Sequence, residues 1–475
     1  VRHIAALTEG VSRRAAIQRQ LLPVLLGWFG EGADPDSALL AFRRLSETLG
    51  TTHWYLKMLR DSGSAAQRLA RLLSSSRFAA DALALSPESV SWLADDAELV
   101  PLGAERLRRE VDAMLTRSDD VEQATQLLRA LRRRELARTA VGEVLSISDP
   151  VRAAEAISAV TDATLEGALR IAEAAVRRER GIAEAPAHLA VVAMGRLGGR
   201  EPGYGSDADV MFVHRAAPGA TDADAGAYSL AVASRLRSLL GDMGPEPGLQ
   251  VDADLRPEGR QGPLVRSLDS YAEYYQRWSE VWEAQALLRA RTVAGDEALC
   301  ADMTALIDTV RYPAEITTVQ VREVRRIKAR VESERMPRGV DPTRHVKLGR
   351  GGISDVEWTV QLLQLQHAHE IPALRTTSTL EALDALAETG LVTEADAVVL
   401  REAWVLASGI RNAVVLWSGR VGGAHGDMLP SDRLDLAGVS RILDYPAGEA
   451  SALEEDYLRA SRRCRQVVER VFYES

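Results

Sequence analysis

Two residue types are nearly missing from this 475-residue chain. Cysteine occurs only at Cys300 and Cys464, which excludes a disulfide framework and a zinc cluster and suits a reducing compartment. Lysine occurs only at Lys57, Lys328 and Lys347, the other basic residues being arginine, so a lysine kept inside a motif is informative. No run of 18 apolar residues is present and the first residues lack a signal-peptide pattern, so a soluble, cytoplasmic protein without a membrane partner is expected. The formal charge of −10 gives no general electrostatic footprint for nucleic acid. There is neither a repeat of solenoid period nor a low-complexity tract.

What is present is length enough for two or three domains. The first residue is Val1 rather than methionine, as expected of a fragment of a longer protein. The informative stretch runs from His188 to Arg215, HLAVVAMGRLGGREPGYGSDADVMFVHR. It reads as a strand at 189–194, a glycine-rich turn and a second strand at 208–214. Residues two apart on a strand share a face, so Asp207 and Asp209 present their carboxylates together. Paired hard oxygens that repel each other suit Mg²⁺, which keeps several waters and is completed by phosphates. Gly195, Gly198, Gly199, Gly203 and Gly205 permit close backbone approach, and with the Ser206 hydroxyl they could bind phosphate oxygens. Either feature alone is usually a turn or a strand end; their combination describes a nucleoside-triphosphate site.

Further along, LQVDADL alternates apolar and acidic residues, which places Asp252 and Asp254 on one face of a strand. A third carboxylate beside the first two is what a two-metal site needs. Arg256, Arg289 and Arg291 are candidates for holding a triphosphate, since guanidinium matches phosphate oxygens bidentately; ordinary surface pairing is the alternative for the last two.

These residues carry a resemblance. Gly195, eleven residues, then Asp-x-Asp resembles the nucleotidyltransferase superfamily that includes DNA polymerase β. The run MGRLGGREPGYGSDADVMF, with VDADLRPEGRQGPLV (251–265), WEAQALLRARTVAGD (282–296) and HVKLGRGGISDVEW (345–358), resembles the glutamine-synthetase adenylyltransferase family from about residue 35 onward. The basic helix LRALRRRELARTA (128–140) is similar to that family too. The resemblance implies catalytic, metal-binding Asp207, Asp209 and Asp252; Asp254 stands where the family commonly has arginine, which leaves open which aspartate acts. It implies ATP as substrate with Mg²⁺ or Mn²⁺, and a nucleotide held by Gly195, Gly198, Gly199, Gly205, Ser206, Arg256, Arg289 and Arg291. Lys347 would serve phosphate or substrate, with Gly351 and Gly352 allowing close approach. The implied reaction is transfer of AMP to a tyrosine of glutamine synthetase, with a P_II-type signalling protein and glutamine as effectors. The alternatives are the AMP-removing half of the same bifunctional family and a non-catalytic scaffold on a degenerate fold.

The expected fold class is α+β and mostly helical. A helical region at 1–185 precedes a small mixed-sheet nucleotidyltransferase core at 186–310, and a C-terminal helical bundle fills 311–475. Helices are expected to start at Pro35, at Asp119 with a capping box to Glu122, and after Ser148-Asp149-Pro150. Arg132, Arg133, Arg134 and Arg138 read as a solvated helix face or as one turned to the active cleft or an acidic partner. Tyr275, Trp278 and Trp282 read as an apolar core stripe, Asp355 and Glu357 as first-turn acids of a helix, and His367 and His369 as structural.

Overall fold

Helix starts follow local chemistry in the computed structural model, which describes residues 2–9, 13–50 and 52–474. Asp34 accepts the Ser37 N–H at the head of the helix Pro35–Leu49, and Asp149 accepts those of Val151 and Arg152 at the head of Pro150–Arg180. Each helix opens on proline, whose missing N–H costs nothing there. The next helix expected from a cap starts one residue late: Asp120, not Asp119, accepts the Gln123 N–H, and the helix runs Val121–Val144.

The fold is α+β and mostly helical, around one five-stranded mixed sheet. Its strands are β1 (Ala187–Ala193), β2 (Ala208–Ala216), β3 (Val251–Asp252), β4 (Val265–Ser267) and β5 (Arg291–Gly295), in the order β3-β2-β1-β5, with β4 also on β2. β1 pairs antiparallel with β2 and with β5, whereas β3 and β4 run parallel to β2. Alternation sorts the sheet's side chains. Leu189, Val191 and Ala193 with Ala208, Val210 and Phe212 join the main apolar core, which reaches from Leu7 to Phe472. Ala190, Val192, Met211 and Val213 meet Tyr271, Tyr275, Leu299 and Met303 in a second core on the other face. Asp207 and Asp209 have the parity of Met211 and Val213, so they extend the face of the second core beyond its apolar edge.

Three expectations change here. The strand through LQVDADL stops at Asp252, because the Asp252 carboxylate accepts the Asp254 N–H at 2.7 Å and the chain turns; Asp254 therefore does not share a sheet face with Asp252. The aromatic stripe is broken: one helix ends at Trp278 and the next begins at Val281, leaving Tyr275 buried but Trp278 70% and Trp282 39% exposed. The basic run is not a solvated face: Arg132 and Arg138 are buried, as is Arg129 one turn earlier, and Arg133 and Arg134 are half-buried. Arg129 donates to the carbonyls of Asp242, Glu246 and Pro247. Arg133 pairs with Glu246 at 2.5 Å, and Arg138 packs 4.2 Å from the Trp92 ring. Arg132 meets no acceptor among the described residues, and burial, with the like charge of Arg129, pushes its guanidinium down to about 10. No helix among the described residues is long and apolar enough to cross a membrane.

Candidate active site

Parallel pairing puts Ala208 opposite Val251 and Asp209 opposite Asp252, so these two carboxylates are neighbours on one face, near the start of β2 and at the end of β3. Burial first, then the charges of Asp252 and Asp207, push the Asp209 carboxyl up to about 6, while Lys347 and Arg289 act against that rise. Asp207, exposed just before β2, is raised by burial of its carboxyl and by Asp252. A divalent cation would relieve the repulsion that raises the Asp207 and Asp209 carboxyls. No group of three or more His, Cys, Asp or Glu among the described residues closes around a point by itself. The carboxylate oxygens of Asp207, Asp209 and Asp252 are hard donors of the kind that Mg²⁺ takes together with waters and phosphates.

The glycine-rich turn is built against these acids. Gly195 has φ +53, which favours glycine, and a Cβ there would lie 3.0 Å from Asp209 Oδ2, so a side chain would press on that carboxylate. Residues Gly195–Gly198 form a single helical turn, whose first N–H groups have no intrahelical acceptor. Gly198 and Gly199 face elsewhere: a Cβ on Gly198 would overlap the Arg289 carbonyl, and one on Gly199 would come within 2.7 Å of Arg289 Nη2. Beyond them, Ser206 Oγ accepts the Gly203 N–H at 2.9 Å, which leaves the Ser206 O–H as a donor. A Cβ on Gly205 would lie 3.2 Å from the Gly422 nitrogen, so that residue is packed against the C-terminal region.

The arginines nominated by sequence are committed inside the protein. Arg289 is buried and bridges Glu201 and, at 2.9 Å, Glu357; Glu201 also accepts the Thr379 N–H. Arg291 pairs with Asp162 and donates to the Leu197 and Gly198 carbonyls, which ties the turn to the helix Pro150–Arg180. Arg256 donates to the carbonyls of Ala253, Gly262 and Pro263 and so closes the turn after β3. Asp254 pairs with Arg260 at 2.5 Å.

Lys347 and Arg196 have no bonded acceptor among the described residues, and of these only Lys347 was nominated. Lys347 is half-buried, its charge reaches Asp209, and nothing among the described residues bonds its Nζ. Arg196, which sequence reasoning passed over, follows Gly195 directly, and its Nε and Nη1 are buried without an acceptor among the described residues. Its position inside the glycine run was the available signal. Gly351 and Gly352 serve packing: a Cβ on either would overlap the carbonyl of Ser461 or of Val346. Asp355, at the head of the helix Ile353–His367, is not a simple first-turn acid. Against its burial, Lys328 and the Gly351 N–H hold its carboxyl below the usual range, with Arg465 adding to the effect at 3.3 Å.

A family model described as glutamate-ammonia ligase adenylyltransferase matches residues 66–305, and one described as GlnD PII-uridylyltransferase matches residues 324–474. Three curated relatives bear the name bifunctional glutamine synthetase adenylyltransferase/adenylyl-removing enzyme. That of Leifsonia xyli subsp. xyli is 55% identical over 473 residues, that of Streptomyces avermitilis 52% over 491, and that of Cutibacterium acnes 48% over 474. These alignments cover 99%, 100% and 100% of this chain and 46%, 48% and 46% of the relatives. The chain thus spans about half the length of the curated relatives it matches.

Proposed function

We propose that this chain, which belongs to the glutamate-ammonia ligase adenylyltransferase family, transfers AMP from ATP to a tyrosine hydroxyl of glutamine synthetase. The observation that carries this reading is the register that sets Asp209 beside Asp252 at the strand ends, next to the Gly195 turn. In the reaction the tyrosine oxygen attacks the α-phosphorus in line, the bond to the bridging oxygen breaks and pyrophosphate leaves. Asp207, Asp209 and Asp252 would hold two Mg²⁺ ions, or Mn²⁺ with the same oxygen preference, which offset phosphate charge and favour the ionised nucleophile.

The remaining roles belong to the chain's own groups. Asp252 draws the proton from the attacking hydroxyl. Asp254, already neutralised by Arg260, does not. The Gly195 turn and the Ser206 O–H donate to phosphate oxygens, and Lys347 and Arg196 supply the unpaired positive charge that the departing pyrophosphate needs. Arg256, Arg289 and Arg291 act one step back, by fixing the backbone around the site. A P_II-type protein and glutamine are the proposed effectors, and the cytoplasm the proposed setting.

The test mixes the chain with unmodified glutamine synthetase, Mg²⁺ and ATP labelled at the α-phosphate. Label on a synthetase tyrosine, absent with Asp207→Asn/Asp209→Asn, is the expected result. Phosphate-dependent release of the nucleotide from pre-modified synthetase, without transfer, would assign the removing activity instead; neither activity would leave a scaffold.

A further inference from the structure

Glu143 is buried near the end of the helix Val121–Val144 and pairs with no cation among the described residues. Its carboxylate accepts the Tyr204 O–H at 2.7 Å and the Asn412 side-chain amide at 3.1 and 3.3 Å. Burial pushes the carboxyl up to about 7, against the two hydrogen bonds. A buried acid held only by neutral donors is a costly arrangement, and such acids concentrate at functional sites.

Its partners locate the function. Tyr204 lies in the glycine-rich loop, two residues before Ser206 and three before Asp207. Its ring is buried 5.4 Å from that of Phe78, in the helix Arg77–Leu85. Asn412 belongs to the helix Glu394–Ser418, and a Cβ on Gly203 would stand 2.9 Å from its Oδ1. One carboxylate therefore ties the loop to a helix on the N-terminal side and a helix on the C-terminal side.

We propose that Glu143, acting through Tyr204 with Asn412, is a positioning residue that sets the Ser206–Asp207 end of the loop for MgATP, so that the helical regions on both sides complete the site. The proposal rests on the reading of this loop as the nucleotide grip. Displacement of a reacting group by about an ångström costs up to about a hundredfold in rate, which a released tyrosine can produce without unfolding the chain.

The test measures the KM for MgATP and kcat in the transfer reaction, MgATP affinity by calorimetry, and the melting temperature. Tyr204→Phe keeps the packing on Phe78 and loses only the O–H. It is expected to raise the KM and the dissociation constant about tenfold, with the melting temperature within about 2 °C of wild type. Glu143→Gln keeps an acceptor oxygen for Tyr204 and should return affinity to within about threefold, whereas Glu143→Ala should not. Unchanged KM and affinity in Tyr204→Phe, or rate losses that merely follow the folded fraction, would overturn the proposal; Tyr204→Phe decides it alone if Glu143→Ala does not fold. If the wild type binds MgATP but modifies no protein, the transfer reading fails while calorimetry still decides on Glu143. A wild type that binds no MgATP overturns both.

Discussion

Two glycine-rich segments look alike in sequence, GRLGG at 195–199 and GRGG at 349–352, and the fold uses them differently. In the first, Gly195 makes room for a carboxylate at the open end of the sheet. In the second, Gly351, at φ +74, lets the loop lie against the backbone at Ser461 while its N–H donates to Asp355. At Gly195 the first segment leaves room for a side-chain carboxylate; the second brings two parts of the backbone together. Glycine reports close approach in both, and only the neighbour tells which kind.

Substitution should separate the two. The largest effect on folding is expected from Gly351→Ala, whose methyl group must displace main chain in a left-handed conformation; about 3 kcal/mol or more of stability should be lost, read by urea unfolding. Gly195→Ala should cost only about 1–2 kcal/mol in stability but about a hundredfold in turnover, because the methyl presses on Asp209. An equal stability loss in the two variants would erase the contrast. Lys347→Ala comes next, with an expected rise of about tenfold in the KM for MgATP and little change in melting temperature. The smallest effect is expected from Asp254→Asn, with turnover within about twofold of wild type, whereas Asp252→Asn should lose about a thousandfold. The reverse order would transfer the third-carboxylate role to Asp254.

Much of the fold was legible. Asp34-Pro35 and Asp149-Pro150 announced their helices because a cap acts on N–H groups two or three residues away. The strands around the glycine turn showed in the alternation of apolar residues, and the pair Asp207 and Asp209 stood out by spacing. The acidic strand at Asp252 was misjudged in length, since the turn that ends it depends on one side chain meeting its own backbone. The arginines were misjudged in their partners. Arg289 and Arg291 carry the signal of phosphate ligands, yet their acceptors are carboxylates and carbonyls distant in the chain.

The sequence by itself determined where the capped helices at Pro35 and Pro150 start, which strand residues face a core, and that two acids share a face beside a glycine-rich turn. All of these depend on neighbours within a few residues, where spacing and conformation are enough. Tertiary structure alone decided that Asp252 stands next to Asp209, that Arg289 joins Glu201 to Glu357, and that Glu143 holds Tyr204 and Asn412, 61 and 269 residues away. A charged group's partner is whichever group packing brings within about 3 Å, and packing is a property of the whole chain.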